Sequence, residues 1–260
     1  MAVNAPELVA ERFGEVELLT INRPLARNAL TYETYRLLEE AVRNSNARCL
    51  VITGADPAFC SGDDIKQIMA NEKGPPIDTL ERKPRLTPAA DALLHTDIPV
   101  IAAVNGAAVG WGMELSLLAD IRVASERARF GELFVMRGLC CDVPGLARLA
   151  GAVGREKAAE LLFTGEIIDA REAQRVGLVS RVTPHEKLLP TTLELAQRIA
   201  NNAPLAVQRL KSGLREALDP DWHALGAWVS TCLAELFRTE DHREGVRAFL
   251  EKRPPSYRGR

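Results

Sequence analysis

A short apolar strand, a glycine-bearing loop and a helix occur twice in this chain in the same order, and that repetition limits the architectures open to it. The first unit runs Cys49-Leu-Val-Ile-Thr53, then a loop from Gly54 to Gly62, then a helical stretch from Asp63 to about Ala70. The second runs Pro99-Val-Ile-Ala-Ala-Val104, the turn Asn105-Gly106, and a helix from Trp111 to Ala119 that leads into the strand Ile121-Arg-Val-Ala124. Short apolar runs bounded by glycine mark strands buried on both faces. Repeated in one sense along the chain, they predict right-handed ββα or βαβ crossovers and an α/β fold.

The flanking segments fit that plan. Val16 to Ile21 reads as a strand, Asn22-Arg23-Pro24 as a turn, and Thr31 to about Arg43 as a helix with threonines at its start. Between Asn71 and Thr87, Gly74, Pro75, Pro76 and Pro84 break any regular element and predict a lid-like connection. Beyond Arg155 the apolar period becomes helical: Ala158–Phe163, Leu193–Asn202, Leu205–Ala217, Trp222–Phe237 and Glu240–Leu250. Breaker chemistry at Asn201-Asn-Ala-Pro204 divides a core of residues 1–200 from a helical region of residues 201–260. The tail from Lys252 to Arg260 reads as a disordered basic end.

Composition removes whole classes of function. Lys and Arg number 33 against 35 Asp and Glu, a net charge of -2, so no positive field exists to hold a nucleic acid. The five cysteines (Cys49, Cys60, Cys140, Cys141 and Cys232) are an odd set with an adjacent pair, which reads as reduced thiols. Glu7, Glu11, Glu15 and Glu17 interrupt the first segment, leaving no leader-like apolar run, and Pro99 to Met113 is too short for a membrane span. A cytoplasmic location follows as the expectation. Neither glycine loop has the G-x-G-x-x-G order of dinucleotide folds or the G-K-[ST] ending of a phosphate loop, and no G-x-S-x-G elbow is present. None of His95, His185, His223 and His242 stands at metal-ligand spacing from another ligand, so no metal is expected.

Both loops present backbone N–H groups at a helix start, where negative charge is favoured. Their surroundings identify them further. The chain resembles the crotonase, or enoyl-CoA hydratase/isomerase, superfamily in Asn22-Arg-Pro-Leu-Ala-Arg-Asn-Ala-Leu30 and in Val51-Ile-Thr-Gly-Ala-Asp-Pro-Ala-Phe-Cys-Ser-Gly-Asp-Asp-Ile-Lys66. The same holds for Pro99 to Gly110 with Glu114 to Arg122, and for Leu162-Phe-Thr-Gly165 with Ala170 to Val182. The resemblance implies a spiral of ββα units, a helical C-terminal trimerisation region forming a homotrimer or a dimer of trimers, and an acyl-CoA substrate with no separate cofactor.

Carried over by position, the resemblance implies an oxyanion hole from the backbone N–H groups of Asp63 and Trp111, the latter where glycine is common in the family. Glu114 matches the first catalytic glutamate. The second glutamate position holds Phe134, which transfers no proton; Glu132, two residues earlier, shares its face if the segment is extended. Asp142 stands where hydratases have glycine; it reads either as a helix N-cap before Val-Pro-Gly or as the acid/base that isomerase branches place there. Leu25, Ala26, Arg27, Ser61, Asp64, Ile65, Lys66 and Gly110 are expected along the CoA, and Lys252 at a neighbouring subunit's ligand. The expected activity is hydration or isomerisation of an enoyl-CoA, leaning to isomerisation because hydration uses two carboxylates on one water. The alternatives are a silent acyl-CoA-binding or RNA-binding member, or a hydrolase or decarboxylase on the same scaffold.

Overall fold

A computed structural model describes residues 5–68 and 86–260. The predicted lid between Asn71 and Thr87 lies almost wholly outside the described residues, as does the end of the helix expected to reach Ala70. Strands β1 (Leu8–Phe13) and β2 (Val16–Ile21) form an antiparallel hairpin turned at Gly14, whose φ is +59°. Helix α1 (Tyr32–Asn44) follows, with Thr31 and Thr34 exchanging the two hydrogen bonds of a capping box.

The spiral then begins. Strand β3 (Cys49–Gly54) joins a large sheet and β4 (Ala58–Cys60) a small one before helix α2 (Ile65–Ile68). After helix α3 (Pro88–His95), β5 (Val100–Val104) and β6 (Ala107–Val109) repeat the pattern and lead to helix α4 (Trp111–Leu118). Strands β7 (Ile121–Ser125) and β8 (Arg129–Gly131) make the next turn, followed by helices α5 (Val143–Val153) and α6 (Arg155–Thr164). Each turn thus gives one strand to each sheet, as the order of the small sheet, β4-β6-β8-β9, shows with β9 at Ile168–Asp169. Helix α7 (Ala170–Arg175) and strand β10 (Arg181–Thr183) complete the large sheet in the order β1-β2-β3-β5-β7-β10.

Both faces of the large sheet are covered, which explains the continuous apolar runs. Leu50, Ile52, Ala102 and Val104 enter the main core, while Val51, Cys49, Ile101 and Ala103 face helix α8 (Leu188–Ala200) through Leu188, Ala196 and Ala200. Helices α9 (Pro204–Leu218), α10 (Trp222–Leu236) and α11 (Glu240–Glu251) end the chain. They are fastened to the spiral by named bonds: buried Lys211 donates to the Ile98 carbonyl and to Asp120, both at 2.8 Å, and Arg148 pairs with Asp219 at 2.9 Å.

Two expectations are corrected. The tail is not a free end: Arg258 and Gly259 donate backbone N–H bonds to the Asp241 carboxylate, Arg253 pairs with Glu244, and the Tyr257 hydroxyl donates to the Met136 carbonyl. Those acceptors lie outside the tail, the Met136 carbonyl 121 residues from Tyr257, so basic composition alone misreads the tail. The segment after Phe130 is not extended as far as Phe134 either; β8 stops at Gly131, and Phe134 has φ -62° and ψ -42° at the start of a 3-10 turn.

Candidate active site

The small sheet aims two glycines at one place. Gly62 has φ +90° and Gly110 has φ +54°, backbone that favours glycine, and each immediately precedes a residue whose amide N–H the turn presents outward. A Cβ on Gly62 would lie 3.1 Å from the Trp111 nitrogen, so its absence keeps that amide open. Neither the Asp63 nor the Trp111 N–H has an acceptor among the described residues, although on either side of Asp63 the Asp64 amide donates to the Leu30 carbonyl and the Gly62 carbonyl accepts from the Leu30 amide. Two unpaired amides at adjoining turns are free to donate to an acceptor, and such a pair has the chemistry to stabilise a developing negative oxygen. The pocket they face is lined by Ser61, Gly62, Asp63, Ile65, Gly110, Trp111, Leu133, Phe134 and Arg137.

Three carboxyl groups, two fully buried and Asp142 half-buried, gather beside it. Glu114, on α4, is fully buried, and its two oxygens accept from the Asp142 amide at 2.9 Å and the Gly145 amide at 2.8 Å. Burial, with the Glu132 and Asp142 charges, pushes its pKa well above the usual carboxylate range against those two amides. Asp142 caps α5, its Oδ1 accepting from the Val143 amide at 2.8 Å, while its Oδ2 accepts from the Trp111 indole N–H at 3.2 Å. The cap geometry is therefore real, and the same side chain also belongs to the cluster; burial raises its pKa too. Glu132 is 1 % exposed, and neither of its carboxyl oxygens has a hydrogen-bond partner among the described residues. Burial and the Asp142 charge hold it well above the ordinary range. Position in the sequence flagged Glu132 only by nearness to Phe134; its isolation is a tertiary fact.

A fourth acid is the side chain of Asp63 itself. Its Oδ1 accepts from the Tyr35 hydroxyl at 2.7 Å, and Tyr35 packs edge-on against Trp111 with ring centroids 4.7 Å apart. Burial raises its pKa to about 6, Asp142 adding to the rise while the Tyr35 bond and Arg137 oppose it.

The residues expected along the CoA divide into two groups. The Leu25–Arg27 turn reaches the Ser61 loop, with the Ser61 amide donating to the Arg27 carbonyl at 3.1 Å, and Leu25 projects wholly into solvent. Ile65 and Gly110 line the pocket, and Lys66 is exposed. Asp64 instead pairs with Arg23 at 3.1 Å, and Arg23 also pairs with Glu7, so Asp64 secures the loop from behind. Lys252 ends α11 at φ +55°, exposed and outside its own chain's pocket.

All five thiols are free. The expectation that no histidine has a ligand neighbour needs correcting: Asp91, His95 and His223 place ligand atoms within 4.8 Å of one another. His223 comes from a distant helix, and Asp91 is already paired with Arg43 and His95.

Residues 11–260 match the family model described as enoyl-CoA hydratase/isomerase. The chain is 38% identical over 258 residues to 2,3-dehydroadipyl-CoA hydratase of Escherichia coli (strain K12), covering 98% of this chain and 99% of that protein. It is 36% identical over 253 residues to the short-chain-enoyl-CoA hydratase of Clostridium acetobutylicum, covering 95% of each. The crystal structure of an enoyl-CoA hydratase/isomerase from Pseudoalteromonas atlantica T6c superposes with a TM-score of 0.87 at 31% identity, over 97% of this chain and all of that one. Sequence blocks, spiral topology and these matches over nearly the full length agree, and the chain belongs to the enoyl-CoA hydratase/isomerase family of the crotonase superfamily, as an enzyme of acyl-CoA chemistry.

Proposed function

We propose that the protein shifts a carbon–carbon double bond within an enoyl-CoA thioester by way of an enolate. The thioester oxygen accepts hydrogen bonds from the Asp63 and Trp111 amides as charge builds on it; one such donor is typically worth about 2.7–4 kcal/mol of barrier. Glu114 and Asp142 carry the proton, one carboxylate taking it from the α-carbon and the same or the other returning it to the γ-carbon, so charge and protons balance without a second reactant. No cofactor beyond the CoA of the substrate enters the scheme.

The observation that carries this reading is Phe134 in the pocket wall, at the position where hydratases hold their second glutamate. Glu132 favours a second reading, hydration: it is a buried carboxyl next to Glu114 and Asp142 with unpartnered oxygens, able to share a water with Glu114. Rates on a 3-enoyl-CoA and on crotonyl-CoA separate the two. Faster double-bond transfer, with solvent deuterium entering the product, supports isomerisation; crotonyl-CoA hydration at tens per second, abolished in Glu132→Gln, establishes hydration instead.

We also propose a homotrimer or a dimer of trimers, acting in the cytoplasm, with Lys252 reaching the neighbouring subunit's CoA. Support comes from α9, where Leu210, Leu214 and Leu218 make a stripe at 59–75% exposure, rather than from α10, where Trp228 is the one large apolar side chain exposed. Light scattering that finds only monomer at micromolar concentration rejects the assembly. Among the described residues no helix is long and apolar enough to cross a membrane.

A further inference from the structure

Arg137 stands in the pocket wall with Asp63, Trp111 and Phe134. Its Nη1 donates to the Leu133 carbonyl at 3.1 Å, and its guanidinium lies 4.5 Å from the centre of the Phe249 ring. Its Nε–H is buried without an acceptor among the described residues, and no carboxylate there comes within ion-pair distance.

Other half-buried arginines of the chain are matched. Arg148 pairs with Asp219 at 2.9 Å, and Arg23 pairs with Glu7 and Asp64. Arg122 has no carboxylate either, but it distributes its donors over the Leu178, Ser116 and Ala119 carbonyls. Arg137 alone of these lines the pocket, and it leaves the Nε edge of its donor fork unmatched. The guanidinium does not discharge on burial, and its planar fork fits a carboxylate edge-on. Burial already works against its charge, and Asp63, within electrostatic reach, is held by Tyr35 rather than by Arg137.

We infer that Arg137 receives an anionic group carried by the acyl chain, so that the preferred substrate class is a short enoyl-CoA whose chain ends in a carboxylate. This rests on the enoyl-CoA reading above. The phosphates of CoA are the other anions of such a ligand, but the pantetheine arm separates them from the thioester, whereas Arg137 shares a wall with the amides placed to hold the thioester oxygen.

The test compares kcat/KM for an ω-carboxy enoyl-CoA with that for its methyl-terminated analogue of equal length, in wild type, Arg137→Lys and Arg137→Gln. Wild type should favour the carboxylate by about 10–100-fold, the scale of a charge-assisted hydrogen bond. Arg137→Gln should bring that ratio close to one, and Arg137→Lys should keep part of it. A wild-type ratio near one, or an equal loss on both substrates in Arg137→Gln, overturns the inference and leaves Arg137 a structural brace. If Arg137→Gln does not fold, Arg137→Lys and an amide-capped substrate decide the same ratio. Should neither thioester turn over, the double-bond chemistry fails by itself. Equilibrium binding of the saturated ω-carboxy and methyl-terminated acyl-CoAs then still measures the carboxylate preference. Free CoA binding that weakens as much as the carboxylate ligand in Arg137→Gln assigns the residue to the phosphates and rejects the acyl assignment.

Discussion

Gly112→Ala probes how rigidly the Asp63 and Trp111 amides, the proposed oxyanion donors, are set. Gly112 is the second residue of α4, next to Trp111, and its Cα side faces the end of β4. A Cβ there would lie 2.0 Å from the Cys60 carbonyl oxygen and 2.7 Å from its carbon, where ordinary contact begins at 3.4 Å. Both obstructing atoms are backbone, so α4 and β4 have to part by about 1.4 Å. The Asp63 amide follows Cys60 by three residues and the Trp111 amide adjoins Gly112, so the separation falls between the two donors. A hydrogen bond of about 2.9 Å stretched that far is no longer one. The expected result is a loss in kcat of about 10²–10³-fold, the value of one such donor, together with about 1–3 kcal/mol of stability from overpacking. Steady-state kinetics on the best enoyl-CoA and thermal melting read both quantities. Gly151→Ala is the control: it lies inside α5 with nothing within 4 Å of the added Cβ, and it should be neutral or slightly stabilising. A Gly112→Ala enzyme with kcat within twofold of wild type and an unchanged melting temperature would show that the two turns do not set the donor spacing.

At Gly145 a Cβ would stand 2.7 Å from Glu114 Oε1, so Gly145→Ala should displace the carboxylate and depress kcat more than binding; equal kcat with altered KM refutes the placement of Glu114 as the proton carrier. Glu114, Glu132 and Asp142 hold protons more tightly folded than unfolded, and Asp63 does so between 3.8 and about 6, so stability should fall as pH rises above about 4. Urea melts at about pH 5 and about pH 8 should show that fall and its flattening in Glu132→Gln, and a rise would contradict the buried-acid cluster. Lys211→Met removes the cation opposite Asp120 and the donor to Ile98, and should cost about 3 kcal/mol in denaturant unfolding; a loss under about 1 kcal/mol means that α9 is held by its apolar contacts alone.

The elements written most clearly in the sequence are those governed by short-range rules. A short apolar run needs cover on both faces wherever it sits, so β3 and β5 were legible, and Thr31 with Thr34 announced the start of α1. The glycine turns before Asp63 and Trp111 were equally plain, because only glycine takes those φ values easily. What escaped depends on partners far away in the chain. Glu132 is an ordinary acidic residue until Glu114 and Asp142 close around it, and Arg137 an ordinary base until α11 brings Phe249 over it. The tail escaped because its acceptors, Asp241 and Glu244 on the preceding helix and the distant Met136 carbonyl, are set by how that helix packs. Asp142 read in sequence either as a cap or as an acid/base; the structure gives it the cap bond from the Val143 amide and adds, from far off in the chain, the Trp111 indole N–H.

The two amides that reach Glu114 make it a meter as well as an acid. Asp142 and Gly145 donate from the first turn of α5, so the tightness of that turn depends on how much negative charge Glu114 holds. A proton taken up by Glu114 withdraws charge from both bonds, and their lengths and exchange rates follow. The Gly145 amide signal therefore encodes the protonation state of a group that is itself spectroscopically silent in a protein of this size. Followed through a pH titration, or with an unreactive thioester in the pocket, it offers a non-invasive gauge of where the proton rests before the reaction begins.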